Sequence, residues 1–94
     1  MMFGEALELL RAGKAVARHQ WEAEGSTAFL VLIPSREVTV SCKPMSDFLR
    51  GGTQMTVDDH IDVIDTDAGL PRCAVGWQPS QTDILANDWV AVEL

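Results

Sequence analysis

The sequence is poor in positive charge and in aromatic side chains. Its 94 residues contain 7 Lys and Arg against 14 Asp and Glu, a formal net charge of −7. Because binding to duplex DNA or RNA depends on neutralising several phosphates, this balance argues against a nucleic-acid partner. It argues only mildly against a small anionic ligand, whose charge of about two can be met by local donors and one or two arginines.

Residues with metal-binding or nucleophilic side chains are also few. Cys42, Cys73, His19 and His60 are the only cysteines and histidines. None shows the local spacing of a zinc site, and no segment resembles a nucleophile elbow or a Cys–His protease. We therefore predict isolated thiols, no metal, no cofactor and no enzymatic activity. A small nucleotide hydrolase that uses Asp83 or His60 stays open as an alternative.

Long apolar runs are absent as well. None approaches the about 20 residues of a membrane span, and residues 2–12 are amphipathic and acidic, unlike a secretory signal. We expect a soluble, cytoplasmic protein with no membrane partner. The 94 residues are predicted to form a single domain, 1–94, because half of them could not bury a sufficient core. A hydrophobic content of 47% is high for so small an interior and favours burial between subunits, with a dense single core as the alternative.

The apolar periodicity predicts an α+β domain, an antiparallel sheet with an N-terminal helix and a short C-terminal helix. The predicted helices are at about 3–12, ended by Gly13, at 44–50, and after Ser80. The predicted strands are at 14–18, 28–33, 37–41, 60–65, 72–76 and 89–93, with turns at 25–27 and 67–69. The strand at 28–33 is expected to be central and buried on both faces. Residues 55–59 are ambiguous.

A cluster of aspartates occupies the second half of the chain. It lacks the residue order and the glycine of an EF-hand, so its simplest interpretation is a solvated face. Its members are Asp58, Asp59, Asp62, Asp65 and Asp67.

The segment 77–89 carries the most information. It reads Trp-Gln-Pro-Ser-Gln-Thr-Asp-Ile-Leu-Ala-Asn-Asp-Trp, so two of the three tryptophans bracket a polar helix start in a chain without tyrosine. Ser80 is a predicted N-cap, and Asp83 takes the position that Glu or Gln holds in a capping box. A site that stacks a flat ring and hydrogen-bonds its edge would need these amide and carboxylate groups.

Residues 2–21, Met-Phe-Gly-Glu-Ala-Leu-Glu-Leu-Leu-Arg-Ala-Gly-Lys-Ala-Val-Ala-Arg-His-Gln-Trp, together with this segment, resemble the Thoeris anti-defence type 2 family of phage and prophage proteins. The resemblance implies a non-enzymatic sponge that forms homo-oligomers, mainly tetramers. It implies sequestration of cyclic nucleotide immune signals of the glycocyclic ADP-ribose type, or of cyclic dinucleotides. The middle, about 22–75, carries no matched motif and could alter which ligand is bound. A module that binds a phage or host protein is the alternative.

The candidate site follows from the resemblance and from side-chain chemistry. Trp21 and Trp77 are the predicted stacking platforms, and Arg18 is a predicted phosphate ligand. The predicted hydrogen-bonding groups are Ser80, Gln81, Asp83, Asn87 and Asp88. Each has a structural alternative, which is core packing for the indoles, solvation for the arginine, and helix capping or termination for the others. Trp89 is assigned to the core.

Overall fold

The computed structural model describes residues 1–67 and 69–93, which form short helices and strands. They are α1 (Phe3–Arg11), β1 (Ala15–Arg18), α2 (His19–Ala23), β2 (Phe29–Ile33), β3 (Arg36–Thr39), β4 (Gln54–Val57), β5 (His60–Asp65), β6 (Arg72–Ala74), α3 (Gln81–Leu85) and β7 (Trp89–Val92). An antiparallel sheet has the order β6-β5-β2-β1-β7, and β3 pairs with β4 in a separate ribbon. The predicted α+β fold, with its N-terminal and C-terminal helices, is confirmed.

Helix α1 ends as its glycine predicts. Gly13 has φ 85°, and its N–H donates to the carbonyl of Leu10 while that of Lys14 donates to the carbonyl of Leu9. This is the Schellman arrangement, which favours glycine because a Cβ strains the left-handed conformation. The helix buries Ala6 and Leu10 against the sheet. None of the helices in the described residues is long and apolar enough to cross a membrane.

The core lies between α1 and one face of the sheet. In the strand register Val16 pairs with Leu30, and Leu30 pairs with Val63, so these three side chains share that face. Trp89 of β7 is 0% exposed and belongs to the same buried cluster. Its assignment to the core is confirmed.

Strand β2 is central but buried on one face only. Leu30 is fully buried, whereas Phe29 and Val31, which alternate with it, are half-buried. The expectation that this strand is buried on both faces was therefore wrong. The reason is that α1 covers only one side of the sheet, and the continuous apolar run leaves an apolar opposite face.

A ribbon extends away from the sheet. We call residues 34–59 the arm, because β3 and β4 continue the β2–β5 hairpin beyond the sheet. The radius of gyration is 16.0 Å, against about 12 Å for a compact chain of this length, and the longest dimension is 46 Å. At the tip of the arm Phe48 is 84% exposed. The arm gives the protein its elongated shape.

Several predicted elements differ in extent from the observed ones. Helix α2 was not predicted, the predicted helix at 44–50 is a 3-10 turn at Met45–Asp47, and the ambiguous segment 55–59 belongs largely to β4. The predicted strand at 72–76 ends at Ala74, where the chain bends. Within the predicted turn 67–69, Ala68 lies outside the described residues.

Trp89→Ala should lower the free energy of unfolding by about 3–5 kcal/mol, because it removes a fully buried indole and leaves a cavity. Urea denaturation followed by far-UV circular dichroism measures the change. Val90→Ala, at the adjacent and 39% exposed position, is the matched control and should change little. Equal effects of the two substitutions would contradict the burial described above.

Candidate functional site

The start of α3 is held by a capping box. The Asp83 N–H donates to Ser80 Oγ at 3.1 Å, and the Ser80 N–H donates to Asp83 Oδ2 at 3.1 Å. The backbone carbonyl of Asp83 also accepts the indole N–H of Trp89 at 2.9 Å. The predicted cap is confirmed, and it ties the helix start to the buried tryptophan.

Arg18 forms the centre of a charged network. Its Nε donates to Asp88 Oδ1 at 2.9 Å, and its Nη1 donates to Asp83 Oδ1 at 3.1 Å. Its Nη2 donates to Gln20 Oε1 at 2.8 Å, and the residue is only 8% exposed. Asp88 also accepts the Gln20 backbone N–H at 3.0 Å, which satisfies a donor at the start of α2. Arg18 therefore joins β1 to the starts of both α2 and β7.

The network shifts the ionisation of its members. The hydrogen bond from Arg18 holds the pKa of Asp88 below its usual value, although desolvation opposes the change. Burial would raise the pKa of Asp83, but hydrogen bonds from Ser80 and Arg18 more than offset this and lower it. The hydrogen bond to Asp88 raises the pKa of Arg18 against the effect of burial. All three groups are charged at neutral pH.

The three indoles form one aromatic cluster with Phe3. Trp21 and Trp77 meet nearly edge to face, with centroids 6.4 Å apart and planes at 74°. Both pack edge-on against Trp89, at 5.5 and 6.0 Å. Phe3 contacts Trp77 and Trp89 at 6.1 and 5.3 Å. Because Trp21 and Trp77 are perpendicular, a flat ring cannot lie sandwiched between them, and each indole presents its face separately.

Trp77 separates two open clefts. The first, which we call the indole cleft, has a volume of about 250 Å³ and is lined by Trp21, Glu24, Ser26, Ala28, Val63 and Trp77. The second, the helix cleft, has a volume of about 410 Å³ and is lined by Leu7, Arg11, Leu32, Asp59, His60, Ile61, Gly76, Trp77 and Gln78. Together they offer an aromatic wall with carboxylate, hydroxyl, amide and guanidinium groups near it, which is the chemistry that recognises a base or a ribose.

The structure brings the predicted site residues together in two groups. Trp21 and Trp77 line the indole cleft, while Arg18, Asp83 and Asp88 bind one another in a separate network. The sequence analysis expected the guanidinium of Arg18 to bind a phosphate of the ligand. In this arrangement the guanidinium binds the carboxylates of Asp83 and Asp88.

The remaining predicted residues lie around the second group. Ser80 caps α3, and Gln81 and Asn87 are exposed at the two ends of that helix. Sequence analysis did not identify Glu24, Ser26 or Arg11 as lining residues. The helical spacing predicted that Arg11 lies on the face of α1 opposite its apolar residues. No signal in the nearby sequence indicated which part of the chain would lie beside Arg11.

Asp62 differs from the solvated aspartate that the sequence predicted. It is 3% exposed, and its Oδ1 lies 2.7 Å from His60 Nδ1. The same oxygen accepts the Gly76 backbone N–H at 3.1 Å, and Cys73 Sγ lies 3.6 Å from Oδ2. The interpretation of Asp62 as part of a solvated face was wrong, because these donors compensate its burial.

Within residues 1–67 and 69–93, no group of three or more His, Cys, Asp or Glu side chains is arranged to hold a metal ion. Cys42 and Cys73 are free cysteines.

Arg18→Met should lower the free energy of unfolding at pH 7 by about 1.5–3 kcal/mol, the range for losing a hydrogen bond to a charged group. The folded-state pKa values of Asp83 and Asp88 are lowered, so their stabilisation is complete above the ordinary value of 3.8 and is lost as the pH falls through the lowered folded-state values. The difference between parent and variant should therefore narrow as the pH is lowered below about 5. Urea titrations at each pH measure it, and a constant difference would contradict the ion pairing.

Comparison with known proteins extends the match beyond the two terminal segments. A family model for the Thoeris anti-defense 2-like domain matches residues 1–92. A protein of Bacillus phage SP01 described as Thoeris anti-defense 2 is 36% identical over 89 residues, which cover 95% of this chain and 91% of that protein. The middle of the chain, in which the sequence analysis found no motif, is thus included in the match. The chain therefore belongs to the Thoeris anti-defence 2 family, whose function is to counter the Thoeris defence.

Proposed function

We propose that the protein counters Thoeris by binding a cyclic nucleotide signal of the glycocyclic ADP-ribose class and holding it without cleaving it, in the cytoplasm of the host bacterium. The observation that carries the proposal is the pair of half-buried indoles, Trp21 and Trp77, at the indole cleft. An aromatic face contributes about 1–3 kcal/mol per stacked base. Membership of an anti-defence family supports the same conclusion.

The indole faces are held in place before any ligand arrives. Trp89 packs against both from the buried side, and its own N–H is bound to the carbonyl of Asp83. A site that is already ordered loses less conformational entropy on binding than a mobile one. This rigidity favours the tight, slow-releasing complex that sequestration requires.

The charge of the ligand has a local partner despite the acidic composition. Arg11 lines the helix cleft on the other side of Trp77, in the same cleft as the Gln78 amide. A guanidinium can bind a phosphate through two parallel hydrogen bonds, which offsets the unfavourable net charge at short range. Asp59 lines the same cleft and opposes this effect, although its Oδ1 already accepts the Ser35 N–H.

The geometry favours binding over hydrolysis. Both carboxylate oxygens of Asp83 are engaged, one by Arg18 and the other by the Ser80 N–H, and its pKa is lowered. A general base works best with a pKa near the operating pH and within reach of its proton. Asp83 therefore has neither a suitable pKa nor a free carboxylate oxygen. Without turnover, inhibition depends on the protein matching the signal in amount and on its affinity.

The decisive experiment is incubation of the protein with a cyclic ADP-ribose isomer, followed by removal of free ligand and release by heating. Chromatography of the released fraction identifies the product. Intact ligand is the expected result. Altered ligand would indicate an enzyme, and a ligand that is never depleted would favour a protein-binding module in place of a sponge.

Trp77→Leu and Trp21→Leu should each weaken binding of the cyclic ADP-ribose isomer by about one to two orders of magnitude, because each removes an aromatic face. Leucine retains part of the packing against Trp89, which alanine would lose. Isothermal titration gives the affinity and a melting curve gives the stability of each variant. Leu85→Ala, at a 72% exposed position of α3, is the control. Parental affinity in both tryptophan variants would place the ligand elsewhere.

We also propose that the chain assembles with copies of itself, as a tetramer. Two apolar surfaces support this. One is the sheet face opposite α1, where Phe29 and Val31 are half-buried, and the other is the tip of the arm, where Phe48 is exposed. Lys43 and Arg50 at the tip complement the acidic character of the rest of the chain. A second copy is therefore a suitable partner for the arm.

Phe48→Ser should shift the protein from a mass near four times that of the 10.3 kDa chain toward smaller species. The physical reason is that the substitution removes an apolar anchor, and such anchors carry most of the energy of an interface. Light scattering coupled to size exclusion measures the mass at micromolar concentration. Leu70→Ser is the matched control, since Leu70 is 83% exposed but lies outside the arm. A monomeric parent protein would overturn the assembly itself.

A further inference from the structure

Asp62 is a buried charge that the proposed ligand contacts leave unexplained. It lies on β5, is 3% exposed, and pairs in the register with the apolar Val31. A carboxylate in such surroundings is costly unless donors surround it, and hydrophobic residues of similar size often stabilise a fold as well or better. Its presence therefore points to a role in addition to stability.

The contacts of Asp62 lead to Trp77. Strands β5 and β6 pair regularly up to Val63 and Ala74, after which the chain bends at Gly76, with φ 82°. At this bend the Gly76 N–H donates to Asp62 Oδ1 at 3.1 Å. The next N–H, that of Trp77, donates to the carbonyl of Ile61 at 2.7 Å. Beyond Ala74 the β5–β6 pairing ends and no backbone carbonyl of β5 accepts the Gly76 N–H. The carboxylate of Asp62 accepts it instead.

Side-chain packing does little to fix the bend. Val75 is 71% exposed, and Gly76 has no side chain and can adopt many backbone conformations. Between Ala74 and Trp77 the backbone is therefore held by two donors, of which the Gly76 N–H depends on a side chain. That side chain is Asp62, which accepts the Gly76 N–H. The Trp77 indole itself packs against the aromatic cluster.

We propose that Asp62 is a positioning residue for the indole cleft: its hydrogen bond to Gly76 fixes the bend that sets Trp77 edge to face against Trp21. The consequence for ligand affinity rests on the proposed function, whereas the consequence for indole geometry does not. His60, at 2.7 Å from the same carboxylate oxygen, completes the set of donors.

The carboxylate keeps this role over a wide pH range. Burial would raise the pKa of Asp62, but hydrogen bonds from His60 and Gly76 outweigh it and lower the pKa. The acceptor is thus ionised at neutral pH, and a hydrogen bond from an N–H to a charged oxygen is stronger than one to a neutral oxygen.

The test compares Asp62→Asn with Asp62→Leu, which have similar shapes. Asparagine retains an oxygen that accepts the Gly76 N–H, whereas leucine cannot accept a hydrogen bond. Asp65→Ala is the control, since Asp65 lies on the same strand and accepts from Thr27 Oγ1 and the Asp67 N–H, away from Trp77. Two properties are measured at a temperature at which far-UV circular dichroism shows full folding. The first is the near-UV circular dichroism of the indoles without ligand, and the second is the affinity for a cyclic ADP-ribose isomer.

We expect D62L to change the near-UV spectrum and to bind the ligand about tenfold more weakly, while D62N and D65A stay close to the parent on both measures. A parental spectrum and parental affinity in D62L would overturn the positioning role. Equal losses in D62N and D62L would overturn it too, because charge and not the Gly76 hydrogen bond would then be responsible. D62A replaces D62L if the latter does not fold, and failure of both to fold would assign Asp62 to general stability. If the parent binds no ligand, the proposed function fails, but the spectral comparison still decides the role of Asp62.

Discussion

The ion pairs of Arg18 with Asp83 and Asp88 are the interaction on which the rest of the structure depends. One guanidinium on β1 holds a residue of α3 and a residue just before β7, segments that are distant in sequence. The two carboxylates depend on Arg18, because loss of this one guanidinium leaves both of them without a cationic partner at a partly buried position. The same carboxylates satisfy the backbone donors that begin α2 and α3. Charge pairing and helix capping are therefore performed by the same two side chains, through different oxygens of each carboxylate.

This network determines where the indoles lie. Arg18 pairs with Trp89 in the register of β1 and β7, and the carbonyl of Asp83 accepts the Trp89 indole N–H. Trp89 in turn supports Trp21 and Trp77 from below. Core packing and ligand contact, which the sequence analysis treated as competing interpretations of the tryptophans, are compatible here. One edge of each outer indole packs on the core, and part of its surface lines a cleft.

Local signals in the sequence predicted much of this fold. Gly13 ends α1, Ser80 and Asp83 form a capping box, and the alternating apolar residues of β5 and β7 give strands close to their observed bounds. These features depend on interactions within a few residues, which a sequence displays directly.

Features that depend on distant residues could not be predicted in the same way. Helix α2 has Arg18 at its N-cap, a poor capping residue, and a donor of its first turn is satisfied by Asp88 from the far end of the chain. Asp62 looked like its solvated neighbours because the bend at Gly76, which supplies its donor, is apparent only in three dimensions. In the site, residue types indicated Trp21 and Trp77. The helix cleft also includes Arg11 of α1, and no spacing in the sequence indicates that Arg11 lies near Trp77.

The aromatic cluster belongs to both the core and the indole cleft, and this has a consequence for the lifetime of the protein in a cell. A ligand stacked on Trp21 or Trp77 contacts side chains whose positions exist only in the folded chain, so binding draws the population away from unfolded forms. Proteases cleave small domains mainly when they open, and opening here would require release of the ligand. Loaded copies should therefore be degraded more slowly than empty ones. On the proposed function, the signal would in this way extend the lifetime of the protein that binds it.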